Sequence, residues 1–276
     1  MTTTIARLLA ASGLARIEAE ALAAHALGRS RASLLAHANH AISDGHAEAA
    51  RALFARRRAG EPLAYIVGHR EFYSLELAVT PDVLIPRPET ELLVDLALER
   101  LAAPGLAHGA RPRVLDLATG SGAVAIAVAK HAPHAAVWAS DASPAALAVA
   151  RANAARHGVA IRFVASDWFA ALAGEAFRLI VANPPYVAEG DPHLAEGDLP
   201  FEPRAALVSG RDGLDAIRRI VACARAHLAP QGWLAFEHGH DQAARCRALL
   251  HESGYRDVTT YRDLAGIERV TAALAP

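Results

Sequence analysis

Asn183-Pro184-Pro185-Tyr186 follows the apolar run Phe177-Arg178-Leu179-Ile180-Val181-Ala182, which reads as a buried strand. A side-chain amide, two residues without N–H groups and an aromatic ring thus stand together at the carboxyl end of that strand. Pro184 excludes Asn183 from the helical region, and the two rings fix φ, so the loop is stiff before any substrate arrives. The Asn183 side-chain oxygen and the Pro184 carbonyl make a pair of acceptors for an NH2 group, either a carboxamide or an exocyclic amine. Such a nitrogen is a weak nucleophile because its lone pair is delocalised. Two acceptors on its hydrogens help to pyramidalise it and stabilise the positive charge that grows during attack, an effect felt mainly in the transition state. Tyr186 is expected to pack on the flat group and hold it in line. A rigid Pro-Pro turn without chemistry would carry the same four residues, so the rest of the chain has to decide.

From about residue 111 strands alternate with helices, the pattern of a parallel sheet covered on both faces. Strands are expected near 112–117, 135–140, 160–165, 177–182 and 231–237, with a closing pair near 255–260 and 267–273. Helices are expected near 122–131, 143–157, 211–228 and 240–253. The last strands follow each other too closely for parallel crossovers, so they pair antiparallel. Seven strands with that ending point to a Rossmann-like methyltransferase sheet. Its first strand runs into Ala118-Thr119-Gly120-Ser121-Gly122, where glycines between strand and helix let a ligand approach the backbone. The dinucleotide spacing Gly-x-Gly-x-x-Gly is absent. Asp141 ends the second strand, where an acid can accept two ribose hydroxyls, and Ser166-Asp167-Trp168 ends the third, where an adenine could be stacked and hydrogen-bonded. Each alone reads equally well as a plain loop; together with the strand end at 183 they outline one crevice at the sheet's switch point.

The first 60 residues read as short alanine-rich helices. Ile5, Leu8 and Leu9 share a face before Ser12-Gly13. A second helix runs from about Ala15 to Leu27, Ser30 caps a third with Leu34 and Leu35, and a fourth spans about Gly45 to Ala59. Arg56-Arg57-Arg58 closes the fourth; arginines complementing a helix carboxyl end explain it more simply than a basic contact for RNA or an acidic partner. Glu71 to Val79 alternates as strands do. Ile85-Pro86-Arg87-Pro88-Glu89-Thr90-Glu91 then leads into a helix to about Leu101, with Arg87 fixed between prolines as a lid or hinge would be.

The 276 residues allow one large domain, or one large and one small. Formal net charge is −1, so no global basic balance draws the chain to nucleic acid. Cys223 and Cys246 lack Cys-x-x-Cys spacing and are expected as free thiols. Without a signal core or a long apolar span, the expectation is a soluble, cytoplasmic protein with no membrane contact. No heptad or exposed apolar strip argues for association, so a monomer is expected.

In these residues the chain resembles the HemK/PrmC family, protein-glutamine N5-methyltransferases that modify the Gly-Gly-Gln glutamine of bacterial peptide chain release factors. Gly60-Glu61-Pro62-Leu63-Ala64-Tyr65-Ile66, Glu71-Phe72-Tyr73, Ile85 to Glu91, the glycine loop and residues 183–186 carry the resemblance. It implies S-adenosyl-L-methionine as donor, S-adenosyl-L-homocysteine as product and no metal. It also implies a class I methyltransferase domain over 87–276, a helical release-factor-docking domain over 1–68 and a β-hairpin connector over 69–86. By position, Ala118, Thr119, Gly120, Ser121 and Gly122 would contact the methionine part, Asp141 the ribose and Trp168 the adenine region. Asn183, Pro184, Pro185 and Tyr186 would hold the substrate glutamine, with Asn183 touching the cofactor as well. The family has glycine where this chain has Ala118, which a negative φ would accommodate. The alternative is an enzyme that methylates N6 of adenine in DNA or N2 of guanine in RNA with the same tetrapeptide. Such an enzyme flips a base and brings a basic groove, whereas Glu189, Asp191, Glu196, Asp198 and Glu202 follow the motif here.

Overall fold

The computed structural model describes residues 3–103 and 111–276. Two compact units are present, one of Met1–His69 with Ala195–Phe201, the other of Arg70–Leu194 with Glu202–Pro276.

The first unit holds α1 (Ile5–Ala10), α2 (Arg16–Leu27), α3 (Arg31–Ala36), α4 (Asp44–Arg58) and α5 (Leu63–Val67). The hydroxyls of Thr4, Ser30 and Ser43 cap α1, α3 and α4 by accepting from Arg7, Ser33 and His46 N–H groups. α2 ends on Gly28 in the left-handed conformation at φ 59°. Ile5, Leu8, Leu22, Leu34, Phe54 and Ile66 meet in one core. α5 goes beyond the helices expected from sequence, because five residues are too few to establish a period. The arginine run at the end of α4 is taken up locally: Arg56 Nε donates to Glu61 (2.7 Å), Arg57 Nε to Glu18 (2.9 Å), and Arg58 to the Ser12 carbonyl (2.6 Å).

In the second unit, β1 (His69–Phe72) and β2 (Leu75–Ala78) form a hairpin, so the alternation from Glu71 to Val79 is broken in its middle. Tyr73 and Ser74 make the turn at φ 52° and 59°. Neither residue announces a two-residue turn. Carboxylates hold it instead, Glu91 accepting from Tyr73 N (2.8 Å) and Glu71 from Ser74 N (2.6 Å). A single 3-10 turn at Pro88–Thr90 then leads into α6 (Glu91–Ala102).

The sheet follows as β3 (Arg113–Leu117), α7 (Ala123–His131), β4 (Ala136–Asp141), α8 (Pro144–His157), β5 (Arg162–Ala165) and β6 (Phe177–Ala182). After β6 come α9 (Arg204–Leu207), α10 (Asp215–Ala224), β7 (Leu228–Glu237), α11 (Ala243–Glu252), β8 (Arg256–Arg262) and β9 (Glu268–Leu274). Strand order is β5-β4-β3-β6-β7-β9-β8, with β9 antiparallel to both neighbours and the other pairs parallel. This is the seven-stranded α/β sheet expected. Alternate residues of β6 serve opposite cores. Leu179 and Val181 pack with α6 and α7, while Ile180 and Ala182 pack with α10 and α11; Phe177 joins the latter core across the register shift between 177 and 179. The helix expected at 211–228 begins only at Asp215, because Gly213 takes φ 75° and Asp212 accepts from Leu214 N (3.2 Å), closing a turn. In register, Leu117 lies beside Ser140 and Ala182. The chain therefore leaves β3, β4 and β6 at one level, delivering Ala118, Asp141 and Asn183 side by side.

Candidate active site

At that level lies a cavity of about 400 Å³. Thr119, Gly120, Ser121 and Ala118 line it from the glycine loop, with Asp141, Trp168, Asn183 and Pro185. Residues 82–86, Thr90 and 203–206 contribute the facing walls through Val83, Pro86, Pro203 and Ala206. Gly122, Pro184 and Tyr186 are not on its surface. Gly122 instead lets helices pack: at φ 84°, a Cβ there would stand 3.0 Å from Ile126 Cδ1 and 3.1 Å from Ala150 Cβ.

The glycine loop is shaped by carboxylates that accept its N–H groups. Asp141 Oδ2 accepts from Gly120 N (2.9 Å) and Oδ1 from Ser143 N (2.8 Å), leaving a further lone pair on each oxygen. Asp116, buried beneath the loop, accepts from Thr119 Oγ1 (2.6 Å) and Ala125 N (3.0 Å) through one oxygen. Burial raises the Asp116 carboxyl to about 7 even though both hydrogen bonds pull the other way. Ala118 corrects the expectation of a negative φ: it sits at 60°, left-handed, where an L-residue is strained. Asn153 ties the loop to the hairpin, its Nδ2 donating to Ser121 O (3.0 Å) and Ala78 O (2.9 Å) while its Oδ1 accepts from Ala78 N (2.7 Å). The Ser166 hydroxyl, expected near a base, is spent locally: it donates to Trp168 O (2.7 Å) and accepts from Ala171 N (3.0 Å). That turn leaves Trp168 at φ 53° on the cavity wall.

The loop after β6 is gripped differently. Asn183 Nδ2 donates to Thr90 Oγ1 (3.1 Å), and Thr90 Oγ1 donates to Glu237 Oε2 (2.7 Å). Glu237 Oε1 accepts from the Tyr186 hydroxyl (3.0 Å). Both hydroxyls donate to Glu237, so Thr90 has only a lone pair to offer Asn183. The amide is thereby turned with its nitrogen toward Thr90. Its oxygen, Asn183 Oδ1, is buried with no hydrogen-bond partner. Burial pushes Glu237 up from the ordinary carboxylate range and pushes the Tyr186 phenol up strongly.

Arg87 does not stand free between its prolines. Its guanidinium pairs with the buried carboxylate of Glu202, which also accepts from Ile85 N (3.3 Å). That pair joins the segment before α6 to the segment before α9, and both wall the cavity. Glu202 therefore does not belong to the exposed acids of the segment after the motif.

Sequence reasoning gave no site role to Thr90, Asp116, Asn153 or Glu237 and counted Glu202 only among the acids after the motif. Asp116 and Glu237 did carry a signal, a carboxylate inside or ending an apolar strand run; Thr90 lay in the segment from Ile85 to Glu91 with nothing to single it out.

Comparison with known proteins places these features in a family. Residues 2–68 match the PrmC N-terminal domain and residues 92–197 the methyltransferase small domain. A release factor glutamine methyltransferase of Bordetella pertussis is 54% identical over 270 residues, covering 98% of both chains. One of Burkholderia pseudomallei is 53% identical over 280 residues, 99% of this chain and 96% of that one. Among solved structures, a T. thermophilus 16S rRNA N2 methyltransferase in complex with AdoMet and guanosine aligns with a TM-score of 0.56 at 22% identity. The alignment covers 75% of this chain and 50% of that one, a likeness of fold.

Proposed function

This chain belongs to the release factor glutamine methyltransferases, and from that premise we propose how its residues divide the work. The reaction transfers a methyl group from S-adenosyl-L-methionine to the side-chain amide nitrogen (N5) of the Gly-Gly-Gln glutamine in peptide chain release factors, leaving S-adenosyl-L-homocysteine. The chemistry supplied by the bound cofactor is an electrophilic sulfonium methyl group; no metal takes part.

The residues present suit that cofactor. A volume of about 400 Å³ is in the range of small-molecule sites. Beside Gly120, a Cβ would meet nothing within 4 Å, so ligand atoms can reach the loop backbone. A second buried oxygen without a partner, Ser140 Oγ, also belongs to a lining residue. Ala118, Thr119, Gly120 and Ser121 form the methionine end, with Gly122 behind them in the helix packing, while Asp141 holds the ribose with its spare lone pairs and Trp168 flanks the adenine.

The observation that carries the assignment is the lone Asn183 Oδ1. A buried acceptor left unpaired costs about 1–3 kcal/mol, recovered when a substrate NH2 donates to it. Together with the Pro184 carbonyl it binds both hydrogens of the glutamine amide, orients the nitrogen lone pair and stabilises the charge growing there. Pro185 and Tyr186 keep that geometry stiff. The excess proton leaves to water after attack, so no strong base is required.

The helical unit docks the release factor, and the enzyme works as a cytoplasmic monomer without binding DNA. Support comes from the PrmC N-terminal match and from the local engagement of Arg56, Arg57 and Arg58, which takes up the arginine run at the end of α4. Among the described residues no helix is long and apolar enough to cross a membrane. The test is transfer of labelled methyl from S-adenosylmethionine to purified release factor, beside a Gln-to-Ala factor and a DNA duplex. Label on the wild-type factor alone is expected; label on DNA alone would move the nucleophile to a base.

A further inference from the structure

Two prolines make the acceptor loop stiff but strip it of N–H groups at 184 and 185, so its backbone cannot be fixed by donating there. Asn183 and Tyr186 are held through their side chains, and Val187 N donates to Leu207 O (2.8 Å) just beyond, which leaves the loop's own carbonyls to be fixed by donors that reach them. Gln242, buried just ahead of α11, is such a donor: its Nε2 lies 2.9 Å from the Tyr186 carbonyl and 3.5 Å from that of Gly213. The orientation of this amide is settled from the other end, because Gln242 Oε1 accepts from Gly239 N at 2.8 Å. Gly213 closes the third side. At φ 75° its Cα approaches so closely that a Cβ would fall 2.3 Å from the Tyr186 carbonyl oxygen and 2.7 Å from Gln242 Nε2.

We propose that Gln242 is a positioning residue for methyl transfer, acting through the Tyr186 carbonyl to set the depth and register of Asn183-Pro184-Pro185-Tyr186 against the glutamine amide. It does not line the cavity. With Glu237 on the Tyr186 hydroxyl and Gln242 on its carbonyl, Tyr186 is held at both ends by the last residue of β7 and the chain that follows it. A displacement of about 1 Å in an acceptor pair can cost about a hundredfold in rate, and loss of a group supporting a site residue costs on the order of 10–100-fold. The role rests on the glutamine-methylation reading, since the substrate amide is what the loop is positioned for.

The test compares wild type with Gln242→Glu and Gln242→Met by methyl transfer to release factor, S-adenosylhomocysteine affinity by calorimetry and Tm. Gln242→Glu keeps the acceptor for Gly239 N but sets a carboxylate against two carbonyls. At pH 8 it should lose roughly 10–100-fold in kcat/KM for the release factor with cofactor Kd within about twofold. Burial raises such a carboxyl, and its neutral form can donate again to the Tyr186 carbonyl. Its activity relative to wild type should therefore recover as pH falls. Gln242→Met, with no donor at any pH and no added charge, should lose activity without recovering, and it keeps the test open if the Glu variant folds poorly. Wild-type kcat/KM in Gln242→Met, or in a folded Gln242→Glu, would overturn the role, as would a loss matched by weaker cofactor binding. Absence of label with the wild-type enzyme would overturn the glutamine reading itself, and this role with it.

Discussion

The two loops that meet at the cavity are held by opposite means. The glycine loop after β3 is rich in N–H groups, and acceptors hold it: Asp141 takes Gly120 N, and Asp116 takes Thr119 and Ala125. The loop after β6 has prolines at its centre, and hydrogen-bond partners outside the loop hold its amide, hydroxyl and carbonyl through Thr90, Glu237 and Gln242. Backbone chemistry dictates the difference, since a segment that cannot donate must be fixed by what it accepts and by its side chains. One side is a glycine-bearing loop whose conformation is set by carboxylates, the other a stiff loop that needs only to be aimed. The first suits a ligand wrapped by backbone; the second suits an acceptor pair whose spacing must not change during reaction.

If the division is real, each side fails in its own way. The largest effect is expected on the acceptor side. Asn183→Ala removes the buried Oδ1 and should reduce turnover by roughly a hundredfold or more, by analogy with loss of one oxyanion-hole donor. Cofactor Kd, measured by calorimetry, should stay within a few-fold. Unchanged turnover would break the comparison on this side.

The mirror experiment is Asp141→Asn. An amide there must present its NH2 to Gly120 N or to Ser143 N, donor against donor, so the glycine loop loosens while the acceptor loop is untouched. A loss of about 1.4 kcal/mol corresponds to tenfold in affinity. Cofactor Kd should weaken by roughly that factor, with turnover at saturating cofactor close to wild type. A fall in saturated turnover with Kd preserved would show that the two sides are not separable as drawn.

The asymmetry also explains what could be read in advance. Proline declares its conformation in the sequence, so the stiff loop and the strand before it were legible from residues 177–186, the crevice from four strand ends taken together, and the antiparallel close of the sheet from the short spacing of its last strands. The partners of that loop were not, because Glu237 and Gln242 lie 51 and 56 residues beyond Tyr186 and no period connects them. Glu202 counts as one more acid in a string of acids until Arg87 and Ile85 N are found against it. The hairpin turn at Tyr73-Ser74 was hidden because acceptor carboxylates from Glu71 and Glu91, rather than glycine, stabilise it. The conformation of Ala118 was read with the wrong sign for a related reason. Alanine is neutral in sequence, and its φ of 60° is imposed by the loop around it.

Ala118 therefore offers the finest test of the comparison. On the acceptor side, proline rings already prefer the φ the loop uses; on the glycine-loop side, Ala118 carries a conformation it disfavours. Left-handed φ costs an L-residue roughly 1–2 kcal/mol, while glycine in its place loses about 0.5–1 kcal/mol through a freer unfolded chain. Ala118→Gly should then stabilise the protein by a fraction of a kcal/mol up to about 1 kcal/mol. In a domain of this size that is a rise in Tm of about 1–4 °C. Because Ala118 also lines the cavity, removing its methyl should tighten S-adenosylhomocysteine binding by at most a few-fold, and kcat should not change. A lower Tm in this variant would mean that the loop's hydrogen bonds to Asp141 and Asp116 do not force the left-handed turn on residue 118. The glycine loop would then be shaped by its own sequence rather than by the carboxylates around it.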